Sequence, residues 1–199
     1  PSLLPKYRGA APIQRALLNG EKSTGVTIFR LVSAMDAGDI TAQAETPIAP
    51  EDNASDLYTR LAVMGCDIAA EALSRELTFT PQDNSRATIA PKITKQEHEA
   101  AFTMTAERFC NTVRALDMSG GAFVQVRGKR LKLWRVHKRQ EIVSGTPGQV
   151  IGTDGSVIVS CCDYGVELVE VQAEGRNRTT GTEWARGMRL KTGGILQVV

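Results

Sequence analysis

The order of elements predicts an α/β class for the first part of the chain and a β class for the second. Three observations carry this. Before residue 81, β-branched apolar runs alternate with helix-period stripes. Pro81 to Pro91 (PQDNSRATIAP) is polar, rich in turn formers and without periodicity, which reads as a linker and domain boundary. After residue 121, short apolar runs recur between glycine turns, which indicates a small closed barrel of the OB type. The resulting division is 1–91 and 92–199.

Pro12 suits a helix's first turn, where its missing N–H costs nothing. Ile13, Ala16 and Leu17 share the face of that helix, and Asn19-Gly20 ends it. Residues 25–32 read as a strand, 33–39 as a loop with a turn at Asp36-Ala37-Gly38-Asp39, and 40–48 as a second extended segment. Asn53 caps a long helix with Asp56 in its first turn. Leu57, Leu61, Met64, Ile68 and Ala72 form its predicted buried stripe. Beyond the boundary, Thr105 caps a short helix carrying Phe109, Val113 and Leu116, with Met104 placed to staple onto Phe109. Strands are predicted at 122–127 and 130–136 around a II′-type turn at Gly128-Lys129. More follow at 148–151, 156–162, 166–171 and 194–199.

The net charge of +2 conceals an asymmetry. Residues 1–91 hold 8 Lys/Arg against 11 Asp/Glu, while residues 92–199 hold 16 against 11. A basic second half points to a polyanion partner for that part. The four cysteines show neither C-x-x-C spacing nor a nearby His pair, so neither a metal nor a disulfide framework is expected. Cys161-Cys162 alternate on a predicted strand, so at least one is expected to be buried. No apolar run has membrane-span length and no signal peptide is visible, which fits a reducing cytoplasm.

Asp36 is the sharpest chemical candidate. A carboxylate can hold an imidazole in its useful tautomer, raise its basicity or pass a proton through water. As a turn former before Ala37-Gly38 it also has an ordinary structural reading. The densest basic run is Arg127, Lys129, Arg130, Lys132, Arg135, Lys138 and Arg139, interrupted by Trp134. It can follow a phosphate backbone with Trp134 available for stacking, or be a solvated strand with an inward Trp. Arg176, Arg178, Arg186, Arg189 and Lys191 form a second, looser basic group. The Gly9-Ala10-Ala11 turn leads into a helix N-terminus that could receive an anion.

SLLPKYRGAAPIQRALLNGEKSTGVTI, read with Met35-Asp36-Ala37-Gly38-Asp39, resembles the signature of the methionyl-tRNA formyltransferase family. The resemblance implies a partial Rossmann-like formyltransferase domain over 1–91, followed by an OB-like tRNA-binding domain over 92–199. It implies formyl transfer from 10-formyltetrahydrofolate to the amine of methionine on initiator tRNA, in a cytoplasmic monomer serving translation initiation. Asp36 matches the family's catalytic Asp. Ser2, Leu3, Leu4 and Pro5 match its folate-binding segment, and Ala34 and Met35 the loop whose backbone meets the pteridine. Lys92 and Lys95, with Arg127, Lys129, Arg130, Lys132 and Arg135, are the implied tRNA contacts. In that family an Asn-x-His pair lies just upstream of Ser-Leu-Leu-Pro. The sequence here starts at Pro1, so the expectation is a C-terminal fragment without that pair and inactive alone. Two rivals remain: a sugar-nucleotide N-formyltransferase, and an RNA-binding module without catalysis. The family's Pro-Trp-Pro-like turn is replaced by Asp117-Met118-Ser119-Gly120-Gly121, which leaves individual RNA contacts open.

Overall fold

The computed structural model describes residues 1–142 and 145–196. The chain forms two compact units, Pro1–Ile93 and Thr94–Val199.

In the first unit, helix α1 (Pro12–Leu18) buries Ile13, Ala16 and Leu17 and ends at Asn19. Strands β1 (Ser23–Phe29) and β2 (Ile40–Pro47) pair antiparallel, with Val26 opposite Ala44 and a bulge at Ile28/Phe29. A Rossmann-like parallel sheet is not what these strands build. They are joined by a loop without a helix, and parallel pairing needs a crossover of a dozen or more residues. Helix α2 (Ala54–Leu73) covers β1 and β2 and touches α1. Its start is a capping box: the Asn53 side chain accepts from Asp56 N–H, and Asp56 accepts from Asn53 N–H. Leu57, Leu61 and Ala72 are buried in it, while Met64 and Ile68 are only half-buried. The predicted strand overruns: β1 stops at Phe29, and Leu31 and Val32 are exposed.

The run 81–91 is not a slack tether. Arg8 bridges Ile89 in parallel, with Arg8 N–H donating to Thr88 O at 2.8 Å and Ala90 N–H to Arg8 O at 2.7 Å. The Arg15 guanidinium adds bonds to the Pro91 and Lys92 carbonyls at 3.0 and 3.1 Å. Backbone partners 80 residues away in sequence, rather than local periodicity, give this segment its place.

In the second unit, helix α3 (Ala106–Ala115) is capped by the Thr105 side chain, which accepts from Arg108 N–H at 3.2 Å. Phe109 stacks on Phe102 with centroids 4.9 Å apart, an aromatic contact beyond the staple expected from Met104. Among the described residues six strands follow: β3 (Ala122–Val126), β4 (Lys129–Ile142), β5 (Val150–Gly152), β6 (Val157–Ser160), β7 (Tyr164–Ala173) and β8 (Thr179–Thr180). Their order is β3-β4-β7-β6-β5, with β8 beside β7. Among the described residues no ladder joins β3 to β5, so the expected closed barrel is an open antiparallel sheet. Val124, Leu131, Leu133, Val157, Val159, Val166, Leu168 and Val171 form its buried face, under α3. The predicted terminal strand contributes one bridge, Ile195 to Gln149, while residues 197–199 lie outside the described residues.

The β3–β4 turn is of type I′, with Arg127 at φ 50° and Gly128 at φ 75°, rather than II′ at Gly128-Lys129. A short helix α4 (Gly181–Gly187) went unpredicted. Cys161 is buried, with its thiol pushed above the usual range by that burial, and Cys162 is exposed. Among the described residues no helix is long and apolar enough to cross a membrane. Nor does any group of three or more His, Cys, Asp or Glu form a place for a metal ion.

Candidate functional site

The first constellation is built on the loop between β1 and β2. Gly38 fixes its shape, because a Cβ there would fall 1.7 Å from the Arg30 carbonyl oxygen. Asp36 takes φ 50°, a left-handed conformation that Asp tolerates better than most side chains. Its Oδ2 accepts the Gly9 N–H at 2.8 Å, which ties the loop to the N-terminal segment. Asp36 is half-buried, whereas Ala34 and Met35 beside it are exposed, Met35 by 69%.

The Ser2–Pro5 segment runs across β1, with Leu3 over Gly25: a Cβ at that glycine would meet Leu3 Cδ2 at 2.5 Å. Ser2 and Leu4 are buried, at 7% and 6% exposure, while Leu3 and Pro5 are half-buried. Thr27 fixes the segment's backbone. Its hydroxyl donates to Ser2 O at 2.6 Å and accepts Leu4 N–H at 3.1 Å. Gln43 Nε2 donates to Leu4 O at 3.0 Å and to Thr27 Oγ1 at 2.8 Å. These backbone groups are therefore committed inside the unit. Two amides of the turn before α1 are committed too: Gly9 N–H goes to Asp36 and Ala11 N–H to Ala90 O.

Sequence reasoning missed the side chains that hold this arrangement. Thr27, Gln43, Arg8 and Gln82 carry no local pattern, and their partners are distant in the chain. Alternation alone could have flagged Thr27, a polar residue between Val26 and Ile28 on an otherwise apolar strand.

The second constellation lies on the outer face of the second unit's sheet. Leu131 and Leu133 point inward, which turns Arg130, Lys132 and Trp134 outward. A bulge between Leu133 and Arg135 brings Trp134 out of register. Arg130 lies over Phe123 at 4.7 Å and Lys132 over Trp134 at 5.6 Å. Arg178 packs on Trp134 at 3.4 Å, and Trp134 Nε1 donates to Gln172 at 3.2 Å. The inward-Trp alternative is thus excluded, and the two basic groups of the sequence meet on this indole. Arg127, Lys129 and Arg135 are exposed. Arg139 is engaged with Glu167 at 3.3 Å. Lys92 belongs to the first unit and Lys95 to the second; both are exposed.

Residues 1–73 match the formyl transferase family, and residues 92–189 match the formyl transferase C-terminal domain. The chain belongs to the formyl transferase family. Over 195 residues it is 40% identical to a methionyl-tRNA formyltransferase of Lactobacillus acidophilus, covering 96% of this chain and 62% of that relative. The chain therefore spans less than two thirds of that relative's length. Its fold is shared with HypX of Aquifex aeolicus in complex with tetrahydrofolic acid. There the TM-score is 0.71 at 22% identity, over 93% of this chain and 34% of that one. It is also shared with an N-formyltransferase of Helicobacter canadensis in complex with folinic acid and dTDP-3-aminofucose. That likeness has a TM-score of 0.69 at 21% identity, over 86% of this chain and 64% of that one.

Proposed function

We propose that the protein carrying this chain is a methionyl-tRNA formyltransferase, which acts in translation initiation as a cytoplasmic monomer. One observation carries the chemical part: a half-buried carboxylate, Asp36, is held by the N–H of Gly9, four residues beyond the Ser2–Pro5 segment in the chain. The tRNA part is supported by the methionyl-tRNA formyltransferase of Lactobacillus acidophilus at 40% identity and by the basic outer face of the second unit.

In the reaction, the methionyl α-amine of initiator tRNA attacks the formyl carbon of 10-formyltetrahydrofolate. A C–N bond forms, the bond to N10 breaks, and the proton lost from the amine passes to N10. Asp36 acts on that proton, directly or through an imidazole, and favours the neutral nucleophile. Leu3 and Pro5 line the folate cleft while Ser2 and Leu4 support it from beneath, and the exposed Ala34–Met35 backbone meets the pteridine.

In the second unit we read a partly open OB-like sheet. Its basic hairpin supplies phosphate contacts from Arg127, Lys129, Arg130, Lys132 and Arg135; Lys92 of the first unit and Lys95 of the second are assigned the same role separately. With Arg178 on its ring, Trp134 serves to hold the cations of this face in place.

The test offers 10-formyltetrahydrofolate with either initiator Met-tRNA or a nucleotide-linked amino sugar. Formylation of Met-tRNA alone is expected. Turnover of the amino sugar alone, or tRNA binding with turnover of neither, overturns the proposal.

A further inference from the structure

The Asp36 loop is braced from the far end of the first unit. Gln82 donates both Nε2 hydrogens to it, to the Asp36 carbonyl at 2.9 Å and the Gly38 carbonyl at 2.6 Å. Gln82 Oε1 accepts from Arg8, from Nη2 at 2.7 Å and Nε at 3.3 Å. Two donors and two acceptor lone pairs are all used. The amide fits one way only, since turned over it would set NH2 against a guanidinium and its oxygen against two carbonyls. Arg8 is itself fixed. It is 9% exposed, its Nη2 also donates to Asn84 Oδ1 at 2.8 Å, and its backbone pairs with Thr88 and Ala90.

The left-handed turn at Asp36, with φ 50°, is tolerated by Asp better than by most side chains but is still less favourable than ordinary backbone, so its neighbours help to hold it. The carboxylate's direction follows from that turn. Gly9 fixes the side chain at Oδ2, and Gln82 fixes the peptide that carries it.

We propose that Gln82 is a positioning residue for formyl transfer: its amide, oriented by Arg8, sets the turn at Asp36 and so the angle at which the carboxylate meets the substrate amine. This rests on the catalytic reading of Asp36, and the brace itself is testable apart from it.

Three variants separate the possibilities. Gln82→Met keeps the side chain's length and removes all of these bonds. Gln82→Glu keeps the contact with Arg8 and removes both donors. Asn84→Ala removes a partner of Arg8 and leaves Gln82 in place. Hydrogen exchange at the Gly9 amide, followed by NMR on the full chain, reads the Asp36 bond. Exchange should accelerate about tenfold or more in both Gln82 variants and less than about twofold in Asn84→Ala. The Arg8 and Ala90 amides, which bond Thr88 and Arg8, should keep their protection. In the protein carrying the chain, kcat for Met-tRNA formylation should fall about tenfold or more in the Gln82 variants. KM for the formyl donor should stay within about twofold, and Asn84→Ala should behave as the parent. Unchanged Gly9 exchange in Gln82→Met overturns the proposal. So does equal loss of kcat in all three variants, or loss of Arg8 and Ala90 protection along with Gly9, since any of these makes Gln82 structural only. A parent that formylates no Met-tRNA overturns the functional reading instead, and Gly9 exchange still decides the brace.

Discussion

Tyr7 and Asp36 both stand in left-handed backbone, at φ 60° and 50°, and each is held by a side-chain bond. The Tyr7 hydroxyl donates to Glu21 at 2.6 Å and accepts from Asn19 at 3.0 Å. Burial first, and the bond to Glu21 second, push its pKa up to about 12. Folding therefore favours the protonated phenol. Its contribution is whole below the unfolded value of about 10 and is lost as pH rises through the folded value. Melting temperature should fall across that window more steeply in the parent than in Tyr7→Phe; parallel curves would rule out a contribution from Tyr7. At this scale the sequence was partly readable. Asp36 stood out because Asp-Ala-Gly is turn chemistry inside a recognisable motif. Gln82 did not, because its meaning lies in carbonyls 44 and 46 residues away.

Caps and hairpins were the most readable elements, and where reading failed the cause is local. Asn53 and Thr105 start α2 and α3 as their spacing suggests, since a cap is a bond within four residues. The same rule would have found α4 from Thr180-Gly-Thr-Glu183, whose capping box is complete. Thr180→Ala should lower stability by about 1 kcal/mol in denaturant melts; no change would make the box idle. The β3–β4 turn was shifted by one residue, because Gly128 satisfies either turn type and Arg127 gives no hint of a positive φ. Arg127→Asn should relieve about 1 kcal/mol of left-handed strain while weakening tRNA binding. Unchanged affinity would remove Arg127 from the proposed tRNA contacts. The overlong reading of β1 has a similar source: Leu31 and Val32 look like strand, yet the chain leaves the ladder after the bulge at Ile28/Phe29.

For the molecule as a whole, charge asymmetry was legible and sheet closure was not. Strand spacing counts strands but does not say whether the first and last pair. The basic second unit should bind tRNA with an affinity that falls steeply with salt. Arg130→Ala with Lys132→Ala should flatten the log–log slope by up to about 2, and an unaltered slope would place the phosphates elsewhere. The division of labour between a carboxylate loop in one unit and a cationic face in the other is the central claim. Asp36→Asn tests it most directly, because the amide oxygen can still accept the Gly9 N–H while the charge is gone. In single-turnover formylation of Met-tRNA by the protein carrying the chain, the rate should drop about 100-fold or more with tRNA affinity held within about twofold. A rate equal to the parent's would contradict the account.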